Sequence, residues 1–214
     1  MLRAIVFDFD GVILESADVK TDAFCELYVA HGDEVVAKVR AHHLENVGVS
    51  RFKKFEWIET NVLGRTLSPE GSVMLGEQFT SLALDKVLAA PFVPGIEEAL
   101  PVLAERYACF VASGTPHDEL NLIVERRGLA PRFREVHGTP REKPEIVRDL
   151  LTRHALAPQE ILFVGDGLTD YKAAMAVGTH FLARDTPALH DEWTKLGVRR
   201  QADMRGLAEI VASW

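Results

Sequence analysis

Arg3-Ala4-Ile5-Val6-Phe7-Asp8-Phe9-Asp10-Gly11-Val12-Ile13-Leu14-Glu15-Ser16 is the stretch on which the reading of this chain turns. Residues 4–7 are an unbroken apolar run of branched and aromatic side chains, the pattern of a strand buried on both faces. Asp8 and Asp10 follow at once, with Gly11 behind them. Two carboxylates at the mouth of a sheet have no apolar reason to be there and call for a cation or a chemical use. The glycine lets the chain turn tightly and lets a ligand approach the backbone. The plainer reading is a turn in which Asp and Gly merely end a strand.

Beyond this stretch the periodicity changes twice. From Glu15 to about Ala90 it is helical, with no convincing strand: helices are expected over 18–30, 34–46, a third capped by Ser50 and running to 63 with Phe52, Phe55 and Ile58 inward, and a fourth capped by Ser68 with Pro69 at its first position. Pro91, Pro94 and Gly95 then punctuate the chain. After them a helix at about 96–106, which Pro101 should kink or delay, leads into strands at 108–112, 133–136, 161–164 and 179–183 alternating with helices, and a helix–loop–helix tail. Alternating strand and helix predicts an α/β fold, a Rossmann-like, mostly parallel sheet with helices on both faces. The first strand belongs to that sheet, so the helical block is an insertion. The expected organisation is a discontinuous α/β core, 1–14 with 92–214, and a helical cap, 15–91, hinged near 14–16 and 90–94. Over the functional end of the sheet such an insert would act as a lid; the alternative is a rigid helical decoration.

Parallel sheets bind ligands outside the carboxyl ends of their strands. Four such ends carry chemistry here: Asp8 and Asp10; Ser113-Gly114-Thr115, read as a helix start that favours an anion; Lys143 before Pro144; and Gly165-Asp166 with Asp170 four residues on. Singly, these are a cap, a solvated charge and acids complementing a helix dipole. Together, on four strand ends in a fixed order, they are hard to dismiss as coincidence, and clustered acids would repel one another without a hard cation, for which Mg²⁺ fits.

The totals narrow the partners. The chain has 214 residues, 47% hydrophobic and 26% charged, with a net charge of -8. That balance disfavours nucleic acid or an anionic membrane as partner, while local lysines and a metal still permit an anionic substrate. Cys25 and Cys109 have no pairing or metal-like spacing, so a reducing cytoplasm is the expected location. Neither a signal peptide nor a membrane-spanning run is visible.

The motifs Asp8-Phe9-Asp10-Gly11-Val12, Ser113-Gly114-Thr115, Lys143 and Gly165-Asp166-Gly167-Leu168-Thr169-Asp170 resemble the haloacid dehalogenase-like superfamily, in its phosphatase branch with a helical cap after the first strand. The resemblance implies that Asp8 is the nucleophile and Asp10 the general acid and base. It implies that Ser113, Gly114, Thr115 and Lys143 hold the phosphoryl group. The metal would take carboxylates of Asp8 and Asp166 and the backbone carbonyl of Asp10, with Asp170 on the ion or one contact behind it. The acid role also implies that anionic neighbours raise the pKa of Asp10. An acid at Asp10 argues for phosphate esters over carbon–halogen or carbon–phosphorus bonds.

Gly48-Val49-Ser50-Arg51 is similar to a substrate-loop segment of the β-phosphoglucomutase-like members, which would let Arg51 grip a second phosphate or a carboxylate. Lys53 and Lys54 stand nearby, with solvation the equal alternative. Lys20 stands where those mutases commonly carry a histidine, a departure that speaks against mutase chemistry, and Glu15 departs from an aspartate often seen there. His42 and His43, being adjacent on a helix, point apart and make a poor metal pair. The expectation is a Mg²⁺-dependent phosphatase of a small phosphorylated metabolite, a sugar phosphate or a phosphoglycolate-like acid. Its rivals are a sugar-phosphate mutase and a metal- or phosphate-binding regulator without activity.

Overall fold

In the computed structural model, which describes residues 1–214, the apolar run Ala4–Phe7 is the strand β1 and is wholly enclosed. It lies between β2 (Ala108–Pro116) and β4 (Ile161–Gly165), parallel to both, with Ala4 opposite Ala108 on one side and Ile161 on the other. β3 (Glu135–Thr139) extends the sheet beyond β2, and β5 (His180–Arg184) and β6 (Arg200–Gln201) extend it beyond β4. The result is a six-stranded sheet in the order β3-β2-β1-β4-β5-β6, parallel throughout.

Parallel pairing needs a crossover after each strand, and the crossovers cover both faces. Successive side chains of β1 point to opposite faces, so Ile5 and Phe7 pack with α5 (Ile96–Arg106), α6 (His117–Arg126) and α10 (Leu207–Ala212) through Leu100, Ile123 and Val211. Ala4 and Val6 face α7 (Lys143–Arg153), α8 (Leu168–Val177) and α9 (His190–Leu196) through Val147, Ala174 and Trp193. No helix is long and apolar enough to cross a membrane.

Between β1 and β2 the chain forms α1 (Ala17–Leu27), α2 (Asp33–Glu45), α3 (Arg51–Asn61) and α4 (Pro69–Ala89). These helices share a separate buried cluster centred on Phe24, whose ring lies 4.7 Å from that of Phe79 and 5.4 Å from that of Phe55. Ser68 caps α4, its hydroxyl accepting from the Gly71 N–H at 3.1 Å.

Several local expectations are corrected. Ser50 makes no side-chain cap on α3. Phe52, expected inward, is 38% exposed and lies against Gly76 of α4, where a Cβ would come within 2.9 Å of its ring. Pro101 sits inside a continuous α5, because burial of Ile96, Ala99, Leu100 and Leu103 on the sheet outweighs one lost backbone hydrogen bond. β2 runs on through Pro116, so Ser113-Gly114-Thr115 is extended strand and not a helix start; α6 begins at His117. β6 is a sixth strand that no apolar run announces.

Phe55→Ala should therefore cost about 3–5 kcal/mol in urea unfolding, because Phe55 is completely buried among aromatic neighbours. A loss below about 1 kcal/mol would contradict this packing.

Candidate active site

β1 ends at Phe7, and the ladder continues one residue further: Asp8 N–H donates to the Val164 carbonyl at 2.9 Å, which fixes Asp8 at the strand tip. Its Oδ1 accepts from the Phe9 N–H at 2.7 Å, and its Oδ2 lies 2.9 Å from Lys143 Nζ. Lys143 is the first residue of α7, and its ammonium also donates to Asp170 Oδ1 at 2.5 Å. Asp170, in the first turn of α8, is held by its other oxygen, which accepts from Gly167 N–H at 3.0 Å. Asp166 follows β4. Carboxylate oxygens of Asp8, Asp166 and Asp170 lie within 4.8 Å of one another. Gly11 has φ 76°, and a Cβ there would overlap the Asp166 carboxylate, so only glycine fits this turn.

Burial, then the charge of Asp170, pushes Asp8 up to about 7 against the opposing pull of Lys143. Burial, with the charges of Asp8 and Asp170, pushes Asp166 well above the usual carboxylate range. Burial disfavours the Lys143 ammonium, but the charges of Asp170 and Asp8 outweigh it and hold that group above its ordinary value. Asp166 Oδ1 is buried with no hydrogen-bond partner. Three crowded oxygen donors, one of them orphaned, fit a hard cation.

Asp10 faces a different set. Its Oδ1 accepts from Ser16 Oγ at 2.6 Å, and its Oδ2 accepts from Thr115 Oγ1 at 2.9 Å and pairs with Lys20. Lys20 also donates to Thr115 Oγ1 at 2.5 Å. Burial alone would raise Asp10, but the Lys20 charge and the hydrogen bonds from Lys20, Ser16 and Thr115 outweigh it and hold its pKa below the ordinary value. The expected rise is therefore corrected: Lys20, not an anion, is its dominant partner. The Asp10 carboxyl is also outside the acidic cluster.

Ser113 is buried beside these groups, its Oγ accepting from Thr115 N–H at 3.1 Å. Gly114 lies against the backbone of Gly48, in the loop between α2 and α3. That loop reaches the strand ends: Thr169 Oγ1 donates to the Val47 carbonyl at 2.5 Å. Gly48, at φ 81°, sits where a Cβ would come 3.0 Å from Lys143 Nζ.

A cavity of about 740 Å³ opens between the strand ends and the helices. Asp8, Asp10, Ser113, Gly114, Thr115 and Asp166 line it from the sheet, and Lys20, Phe24, His43, Arg51, Lys54 and Phe79 from the helices. Arg51 is only 5% exposed, but its fork is already filled: Nη1 and Nη2 donate to Glu119 Oε2 and Oε1 at 2.9 and 2.5 Å, and Nη1 also to Thr80 Oγ1 at 3.0 Å. The guanidinium expected to grip a second phosphate or a carboxylate is thus engaged by Glu119 and Thr80 here. Lys53 is exposed and pairs with Glu142, whereas Lys54 is buried. His43 is buried on the cavity wall, while His42 stacks outside on Trp57 at 3.7 Å. Sequence reasoning missed Glu119 and Arg184. The Arg184 fork holds Glu15 at 2.6 and 2.8 Å and donates to the Gly11 carbonyl at 2.7 Å, bracing the turn after Asp10.

A family described as haloacid dehalogenase-like hydrolase matches residues 2–178. A phosphoglycolate phosphatase from Synechococcus elongatus is 26% identical over 188 residues, 83% of this chain and 81% of that protein. An N-acetylmuramic acid 6-phosphate phosphatase from Pseudomonas aeruginosa is 26% identical over 200 residues, 89% of this chain and 85% of that one. The solved β-phosphoglucomutase from Clostridium difficile superposes with a TM-score of 0.77 at 18% identity, covering 100% of this chain and 96% of that one.

Asp166 is protonated more readily in the folded than in the unfolded chain, so its contribution to stability is full below about pH 4 and is lost as pH rises. In EDTA, Asp166→Asn should raise the melting temperature, and by more at pH 8 than at pH 5. A gain that shrinks with rising pH would contradict the electrostatics described for the cluster.

Proposed function

The chain belongs to the haloacid dehalogenase-like hydrolase family and is a phosphoric monoester hydrolase, and from that premise we propose that it frees inorganic phosphate from a small phosphorylated metabolite, a phosphoglycolate-like acid or a sugar phosphate, through an aspartyl-phosphate on Asp8. The observation that carries the reading is that two acids lining one cavity are each paired with a lysine of their own, Asp8 with Lys143 and Asp10 with Lys20.

In the proposed reaction an Asp8 oxygen attacks phosphorus, the ester P–O bond breaks, and the leaving oxygen takes a proton from Asp10. Water then attacks the phosphoryl group and returns a proton to Asp10, releasing phosphate and regenerating Asp8. Lys143 and the Ser113 hydroxyl neutralise and orient phosphoryl oxygens. Gly114, without a side chain, leaves backbone open to the same group. Thr115 and Ser16 orient Asp10. Asp8 and Asp166 would hold Mg²⁺ together with the Asp10 carbonyl, while Asp170 acts from behind by fixing Lys143. When bound, the cation supplies positive charge to the phosphoryl oxygens and opposes the rise in the Asp8 pKa. The helical segment 15–91 serves as the cap that closes the cavity against water.

Lys20 keeps Asp10 ionised in the arrangement seen here, which suits the water-activating half of the cycle. For the first half Asp10 needs a proton, so a substrate that loosens the Lys20 contact favours the acid form.

Asp8→Asn should lower phosphate release from p-nitrophenyl phosphate by about 10³-fold or more; near-normal turnover would refute the nucleophile assignment. EDTA should abolish release and Mg²⁺ restore it. Isomerised sugar phosphate with little free phosphate would favour a mutase, and tight binding of Mg²⁺ and phosphate without turnover a regulator.

Removing the Lys20 charge should raise the Asp10 pKa, because that charge is what lowers it. Lys20→Met should thus move the limb of the kcat/KM profile set by Asp10 to higher pH. A shift to lower pH would contradict the pairing.

A further inference from the structure

Four cationic side chains line the cavity: Lys20, Arg51, Lys54 and Arg184. Three are matched to carboxylates, Lys20 to Asp10, Arg51 to Glu119 and Arg184 to Glu15. Lys54 is not. It is 3% exposed, and its ammonium finds His43 Nδ1 at 3.2 Å and the ring of Phe24 at 5.4 Å. His43 is buried too, and burial followed by the charge of Lys54 pushes it down to about 3, so its imidazole is neutral and can only accept from the lysine. An ammonium has three donors, and one suffices for His43. Two N–H groups of Lys54 are left in an enclosed space without an anion, an arrangement that is costly unless something supplies one. Burial, then the charge of Lys20, accordingly lowers Lys54 to about 7.

We propose that Lys54 selects the substrate, donating two charge-assisted hydrogen bonds to an anionic group, a carboxylate or a second phosphate, carried on the leaving-group side of the ester. This rests on the phosphatase reading and names the substrate class of that same cavity. Arg51, on the same face of α3, cannot take this part without breaking its two bonds to Glu119. Lys20 cannot take it without releasing Asp10. The Phe24 ring, 5.4 Å from the ammonium, and the near-complete burial of Lys54 limit water around it, which strengthens its attraction for an anion.

Two matched pairs of esters test this: phosphoglycolate against ethyl phosphate, which has a methyl in place of the carboxylate, and fructose 1,6-bisphosphate against fructose 6-phosphate. The wild-type protein should prefer the anionic member of at least one pair in kcat/KM. Lys54→Met should reduce that preference at least ~30-fold, the worth of one of the two charge-assisted hydrogen bonds it removes, mainly through KM. Which pair responds tells a carboxylate from a phosphate. Lys54→Met should also melt no lower than wild type, since it removes a buried cation without a counter-ion. Lys54→Gln, which keeps a donor for His43, carries the same comparison. Preference retained in both variants, or loss of fold in both, overturns the proposal. Wild-type protein that releases phosphate from all four esters without preference overturns Lys54 alone. Failure to release phosphate from any of the four overturns the hydrolase reading and Lys54 with it.

Discussion

One ammonium holds the site in place. Lys143 bridges Asp8 and Asp170 across 2.9 and 2.5 Å, inside a cluster whose third member, Asp166, has an orphaned oxygen. Three carboxylates this close would not all stay ionised in a buried place without a cation, and a single lysine offsets one of the three charges. The excess is an electrostatic demand that the fold supports through packing elsewhere. Ile5, Phe7, Val111, Leu162 and Val164 form one face of a continuous core, and that core keeps the strand tips from relaxing apart. The acids and the lysine lie far apart along the chain, but β1 runs between β2 and β4, and parallel pairing brings the carboxyl ends of all these strands to the same end of the sheet.

The two acids of the first motif illustrate how environment assigns chemistry. Asp8 and Asp10 are separated by one residue, yet their pKa values are pushed in opposite directions. Asp8 is desolvated among other acids. Asp10 is desolvated too, though less completely, and it is met by Lys20, Ser16 and Thr115, two of them supplied by the stretch just after it and one by β2. Environments that drive neighbouring titratable groups apart are what separates a nucleophile from a proton carrier. Here the separation depends on the helical insert, because Lys20 belongs to α1. Pairing with Lys20 thus couples the state of Asp10 to the seat of the insert on the sheet.

Much of the fold was legible because its signals are local. The apolar run at residues 4–7, the punctuation at Pro91, Pro94 and Gly95, and the later alternation of strand and helix each depend on neighbours in sequence. The acids were legible for the same reason: a strand tip is recognisable from the run before it. β6 was not, since Arg200 and Gln201 are polar, pair only with β5, and become a strand only because that edge is there. Ser113-Gly114-Thr115 misled because Ser and Thr before a proline read as a cap, whereas β3 alongside, through Thr139 opposite Pro116, draws β2 out past the end of β1. Lys20 was read as a departure and not as a partner, because its contact with Thr115 spans 95 residues.

Residues of α3 show the limit more sharply. Arg51, Lys54, Phe55 and Ile58 fall at i, i+3, i+4 and i+7, the spacing of one buried helix face, and all four are buried. The periodicity was therefore present in the sequence, and charge argued against it: Lys is almost never fully buried unless paired. Arg51 obeys that rule through Glu119, 68 residues away on α6. Lys54 has no carboxylate within this chain: burial lowers it to about 7, and an anion brought from outside would hold it in its charged form. A buried cation on a periodic apolar face is thus a more specific sign of an anionic ligand than the Gly48-Val49-Ser50-Arg51 motif beside it, because the motif fixes only which residue is present and not what already occupies it.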